Sequence, residues 1–275
     1  MRRCRPLLGT FVEIDADDPS AIDLAFSAIE RVHALMSAHD PDSELSRINR
    51  FAHLAPVMVS AWTEQVIERA LHWSRASAGR FDIVRAGCVA LDRGALPRHS
   101  DQPLPTGAEW TSVGLSMGAV SLEQPACLDL GGIAKGFAVD RAIDALNAAG
   151  ESRGLVNAGG DVRGFGADAW PVAVVDPTSR RRLASVALID GALATSAGLP
   201  VGDRALAFDH LPDRDPRWSS VTVRAPFACD ADALTKIVWS GAPEVGAWLR
   251  CANAHAFTIS TDGRIEAVGA DAFAA

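Results

Sequence analysis

The stretch from Cys127 to Gly150 constrains this chain most. An apolar run, Cys127-Leu128-Asp129-Leu130, enters Gly131-Gly132-Ile133-Ala134-Lys135-Gly136, and Val139, Ala142, Ile143 and Leu146 then follow at helical spacing. The order predicts a short buried strand, a glycine turn and an amphipathic helix closed by Gly150. Such a turn can offer backbone N–H groups to an anion, and Lys135 adds a mobile positive charge. It matches neither common nucleotide motif. A Walker loop sets its lysine after the last glycine, and a dinucleotide fingerprint needs G-x-G-x-x-G. Phosphate binding and a plain tight turn into a helix both remain open from these residues alone.

The rest of the chain is read around that turn. Leu7 to Ile14 reads as an opening strand. Ser20 looks like an N-cap, with Ile22, Phe26, Ile29, Val32 and Met36 on one helical face. Ser43 caps a short helix through Asn49. A longer helix runs from Ser60 to Gly79 and sets Trp62, Val66, Ala70 and Trp73 on one side. From Phe81 to Leu122 the punctuation predicts short strands and loops. Leu155-Val156-Asn157 predicts a strand, followed by others at Pro171 to Val175, Ser185 to Ile189, Ala192 to Thr195 and Ser220 to Val223. Asp190-Gly191 suits a hairpin turn. Asp232 is expected to open a helix, another is expected around Glu244 to Leu249, and a last hairpin turns at Asp262-Gly263. Strands outnumber helices and adjoin through hairpins. The expected fold is α+β, a mainly antiparallel sheet with packed helices, as a single compact unit over residues 1–275.

Composition excludes several functions. A hydrophobic share of 48% against 22% charged residues belongs to a globular chain. Net charge is −8, so phosphate attraction gives no reason to expect a nucleic-acid partner. Arg180-Arg181-Arg182 follows the turn-like Asp176-Pro177-Thr178-Ser179 and reads as a solvated surface turn. No apolar run reaches the ~18 residues of a membrane span, and the start lacks the pattern of a secretory peptide. The 5 cysteines are scattered without a C-x-x-C pair. That suits reduced thiols, and the expected location is the cytoplasm.

Three further places could carry chemistry. Asn157-Ala158-Gly159-Gly160-Asp161 lets a ligand approach the backbone, or forms a simple turn. Asp232 is either a helix N-cap or an oxygen ligand for Mg²⁺. Asp209-His210 could be an acid/base pair, although an isolated histidine usually has no such role.

Taken in order, several segments resemble the FAD:protein FMN transferase (ApbE) family. They are Leu8-Gly9-Thr10, Met36-Ser37, Ser43-Glu44-Leu45-Ser46-Arg47-Ile48-Asn49, Gly79-Arg80-Phe81-Asp82, Leu128 to Gly136 with Asp140, Val156 to Asp161, Ala194-Thr195-Ser196 and Ala231-Asp232-Ala233-Leu234. The resemblance implies that FAD is the substrate, with Mg²⁺ at its diphosphate. A threonine hydroxyl of an acceptor flavoprotein would attack the FMN phosphorus and release AMP. It also implies that Asp129 and Lys135 contact FAD. Gly131, Asn157, Gly159 and Gly160 are carried over as cofactor-binding, and Leu8, His39 and Ser43 as flanking the flavin. Gly132, also carried over as cofactor-binding, would hold the metal through its carbonyl together with Asp232 and Thr235, and His210 would lie by FAD at the reaction centre, so the catalytic set is His210, Lys135 and Asp232. One departure concerns the metal. The family places a threonine two residues after Ala-Asp-Ala-Leu, where this chain has Lys236, with Thr235 one place early. An ammonium group cannot ligate Mg²⁺ but could occupy its place. The stretch around the family's histidine is also reduced to Asp209-His210-Leu211-Pro212-Asp213, and the chain has no Tyr to stack on a flavin. Alternatives to transfer are FAD storage without chemistry and Mg²⁺-dependent hydrolysis of FAD. A dehydrogenase of the dinucleotide-binding type is disfavoured by the missing fingerprint.

Overall fold

The computed structural model describes residues 1–99, 101–198 and 215–269. They group into two compact units. One comprises Met1–Glu30 with Lys135–Ala275, and the other comprises Arg31–Ala134.

The first unit is built on an antiparallel sheet of 8 strands in the order β1-β2-β6-β7-β10-β11-β12-β13. These are β1 (Arg2–Leu7), β2 (Thr10–Asp15), β6 (Gly154–Ala158), β7 (Asp161–Phe165), β10 (Gly191–Ala197), β11 (Trp218–Ala225), β12 (His255–Ser260) and β13 (Ile265–Val268). Alternation sorts the two faces. Val12, Ile14, Val156, Ala158, Ala192, Ala194, Val221 and Val223 point inward and are fully buried. Helix α6 (Ala228–Trp239) lies against β10 and β11, and all of its residues are buried. Its polar residues Asp232, Thr235 and Lys236 are buried with it and are paired there. The opposite face is covered by a ribbon of β8 (Trp170–Val175) and β9 (Arg182–Leu188), where Trp170 and Leu188 pack on Val162 and Leu193. Helices α5 (Ala134–Ala148) and α7 (Val245–Cys251) complete this part of the chain, and α1 (Pro19–Met36) crosses the boundary between the units in sequence.

The second unit holds α2 (Glu44–Phe51), α3 (Ala61–Ala76) and α4 (Ile83–Asp92) with a small sheet of β3 (Val57–Met58), β5 (Ala119–Leu122) and β4 (Val113–Ser116). Ser43 caps α2 as expected, accepting from the Ser46 amide at 3.0 Å.

The α+β class and the antiparallel pairing match the expectation, while several local readings need correction. Leu7 to Ile14 is a hairpin, because Leu8 and Gly9 take left-handed φ values of 55° and 70° and turn the chain back. Helix α1 starts at Pro19, with the Asp18 carboxylate accepting from the Ser20 amide. Helix α4 stands where strands and loops were expected, started by Asp82, which accepts from the amides of Val84 and Arg85. Cys127, Leu128 and Leu130 are buried, but residues 127–130 pair in no sheet. Asp190-Gly191 joins β9 to β10, which belong to different sheets. Asp232 lies in the second turn of α6 and does not open it.

Candidate functional site

Two lysines and two aspartates meet beneath the large sheet. Lys135 stands in the first turn of α5, Asp161 opens β7, and Asp232 and Lys236 are one turn apart on α6. The Lys135 ammonium donates to Asp161 and lies 3.7 Å from the second oxygen of Asp232. Lys236 donates to the first oxygen of Asp232 and, at 3.1 Å, to the Asp232 carbonyl. The side chains of Asp161 and Asp232 are 2% and 1% exposed and that of Lys236 8%, whereas Lys135 keeps 35%. Lys135 is therefore the member that reaches solvent.

The protonation pattern follows from that packing. Burial pushes the Asp161 carboxyl up to about 6, and the neighbouring Asp232 charge adds to this against the pull of Lys135 and Lys236. Burial acts upward on Asp232 too, but the two ammonium groups outweigh it and its pKa falls. Burial disfavours the charge on Lys135, yet Asp232 and Asp161 raise its pKa, so it stays cationic.

Two contacts fix α5 against α6. The Gly136 amide donates to Asp232 at 3.4 Å. A Cβ at Gly136 would lie 2.2 Å from the Ala228 carbonyl oxygen, so only glycine permits this approach. The glycine thus serves helix packing, where the sequence suggested approach of a phosphate. In the other direction, Asp140 on α5 accepts from the Ala228 and Cys229 amides at 3.0 and 2.9 Å. Arg163 adds a third bond at 2.8 Å. Asp140 thereby caps α6, whose own N-cap residue, Phe227, supplies no side-chain bond.

Gly159 and Gly160 form the β6–β7 turn, and Asn157, in β6, accepts from the Gly160 amide at 3.1 Å. The same three residues line a cavity of about 420 Å³ together with Arg2, Glu13 and Thr195. That volume lies in the range of small-molecule sites.

In the second unit the glycine turn is largely satisfied from within. Gly131 donates to the Asp129 carboxylate at 2.7 Å, and the amides of Ile133 and Ala134 donate to the Leu130 carbonyl. An anion cradle formed by the amides around Ile133 is therefore not the arrangement found; Gly132 remains part of the turn. Asn49, which the sequence reading gave no role, holds the run before the turn: its side chain bonds both the N–H and the carbonyl of Leu128, at 2.7 and 3.0 Å. His39 is exposed, and the Ser43 hydroxyl donates to the Ser37 carbonyl while capping α2. Leu8 sits in the β1–β2 turn. His210 and Asp209 lie outside the described residues.

The ApbE family model matches residues 8–258. The chain belongs to the ApbE family. Among its relatives, the FAD:protein FMN transferase of Treponema pallidum is 30% identical over 80% of this chain and 70% of its own length. That of Haemophilus influenzae is 27% identical over 75% of this chain and 68% of its own. The ApbE protein of Thermotoga maritima superposes with a TM-score of 0.84 at 25% identity, covering 97% of this chain and 96% of that one. The flavin transferase ApbE of Vibrio cholerae gives 0.82 at 23% identity, over 99% and 97% of the two chains, and supports the fold.

The ApbE resemblance implied Mg²⁺ held at Asp232, and the residues present can be tested against that ion. Mg²⁺ demands near-octahedral oxygen ligands. Both Asp232 oxygens already face ammonium or amide donors. The Thr235 hydroxyl is engaged with the Asp232 carbonyl and the Ser196 hydroxyl, each at 2.7 Å. A divalent ion about 4 Å from one ammonium is repelled by about 8 kcal/mol at an effective dielectric of 20. Among the described residues, no group of three or more His, Cys, Asp or Glu could hold a metal. The donor set beside Asp232 does not fit a divalent cation.

Proposed function

We propose that this ApbE chain transfers FMN from FAD to a threonine hydroxyl of an acceptor flavoprotein and releases AMP. The observation that carries this reading is the solvent-reaching Lys135 ammonium, held by two buried carboxylates on rigid elements, in a chain whose relatives are named FAD:protein FMN transferase. A cation fixed in this way suits a diphosphate, since phosphoryl transfer depends mainly on positioning and charge stabilisation.

In the reaction, the threonine oxygen forms a bond to the FMN phosphorus. The bond from that phosphorus to the bridging oxygen breaks, and AMP leaves with that oxygen. The hydroxyl proton passes to a base, for which His210 is the candidate. Lys135 meets the diphosphate, and Asp232 holds Lys135 and Lys236 in place. Asp129, Gly131 and Gly132 belong to the FAD site in this reading, as do Leu8, His39, Ser43, Asn157, Gly159 and Gly160. Residues 1–275 act as one functional domain. Five scattered free cysteines support a reducing, cytoplasmic setting, and no helix among the described residues is long and apolar enough to cross a membrane.

The test is incubation of the pure protein with FAD and candidate threonine-bearing flavoproteins. Covalent flavin on the acceptor is read by in-gel fluorescence, and AMP by chromatography. Stoichiometric adduct and AMP are expected, with Lys135→Ala lowering both. AMP and free FMN without adduct would indicate hydrolysis, and tight FAD binding with neither product would indicate storage.

A further inference from the structure

We propose that the Lys236 ammonium is a built-in replacement for a divalent cation beside Asp232, so that this chain handles the FAD diphosphate without a metal ion. The inference rests on the transferase reading for the identity of the ligand, but its core is the charge arrangement. Lys236 is buried on α6 and bonds both the carboxylate and the carbonyl of Asp232, one turn before it. A cation held by the Asp232 carboxylate would compete with Lys236 for it. The nearby Thr235 hydroxyl is already engaged, with the Asp232 carbonyl and the Ser196 hydroxyl.

Charge balance explains why some cation is needed. Without Lys236, Asp161 and Asp232 would flank the single ammonium of Lys135, leaving a net charge of −1 that repels phosphate. With Lys236 the cluster is neutral, and its partly exposed member, Lys135, can turn its charge to a ligand. A divalent ion could do the same work, but only after Lys236 had left. Lysine holds its position covalently, so the site is ready at any metal concentration.

The experiment measures FAD affinity by quenching of flavin fluorescence, in EDTA and in MgCl₂, for the wild type and Lys236→Thr. Wild-type affinity is expected to agree within about twofold between the two buffers. Lys236→Thr is expected to bind at least tenfold more weakly in EDTA and to recover in MgCl₂. Mn²⁺ binding, followed by electron paramagnetic resonance on the protein alone, tests the same point without FAD. The wild type should bind none, and Lys236→Thr should bind one ion that Asp232→Asn then abolishes. Wild-type affinity that rises tenfold with MgCl₂ would overturn the proposal, as would an Mn²⁺ ion in the wild type that is lost in Asp232→Asn. If FAD fails to bind under any condition, the transferase reading falls and the Mn²⁺ result alone decides this one. If Lys236→Thr does not fold, the two wild-type measurements decide it.

Discussion

Asp140 and Asp232 are two buried carboxylates at reciprocal places on one helix pair, yet they are satisfied in different ways. Asp140 projects from α5 and caps the start of α6; Asp232 projects from α6 and meets the start of α5. Two of the three donors to Asp140 are backbone amides, which cannot leave while α6 exists. The close partners of Asp232 are lysine ammonium groups on flexible stems. A carboxylate held by amides fixes structure. One held by movable cations can exchange them with a ligand, and that contrast is the ground for proposing the site at Asp232 and its lysines.

The largest test of the contrast is Asp140→Leu. It strands Arg163 and two α6 amides, and a loss of about 3–5 kcal/mol is expected in urea unfolding. Adding Arg163→Met should return only part of it, because each orphaned amide still costs about 1–3 kcal/mol. Asp232→Leu should cost about 3 kcal/mol by leaving buried ammonium uncompensated. Adding Lys236→Met should return most of that, since Lys135 and Asp161 remain a neutral pair. Equal recovery in the two double variants would erase the distinction drawn between the carboxylates.

Next in size is Gly136→Ala. The added methyl meets backbone on α6 and no flexible side-chain end, so the helices must part. A loss of about 1–3 kcal/mol is expected, with weaker FAD binding because Lys135 is the adjacent residue. Full stability with an unchanged FAD affinity would show that the close approach is unnecessary.

These contacts mark the limit of what could be read from the sequence. Apolar stripes mark α1 and α3, and the Ser43 cap marks α2, because these are local signals. Helix α4 escaped since it carries β-branched residues and Gly87, and the glycine has a reason visible only in space: a Cβ there would meet the Cys127 carbonyl at 2.2 Å. The start of α6 was placed four residues late for a similar cause. Its cap, Asp140, is 88 residues away in sequence. Lys135, Asp232 and Lys236 were singled out by their residue types and by family resemblance. Asp161 received no role, because nothing near it in sequence says that it will face Lys135. The first turn, at Leu8-Gly9, was hidden because leucine is an unusual residue at positive φ.

The smallest effect concerns pH and separates Asp161 from its neighbour. Asp161 holds its proton more firmly folded than unfolded, with its pKa moved from 3.8 up to about 6. Between those values the folded state carries more protons, so this group's contribution to stability falls as pH rises through the window and levels off above it. Asp232 has the opposite sign. Its lowered pKa contributes stability above the ordinary carboxylate range that is lost on acidification below it. One group can change stability by no more than about 1.4 kcal/mol per pH unit. Urea midpoints of Asp161→Asn and wild type, compared from pH 4 to pH 6, should therefore diverge in the variant's favour as pH rises. Parallel curves would mean that Lys135 and Lys236 hold Asp161 ionised throughout, and that the whole cluster carries fixed charge in this range.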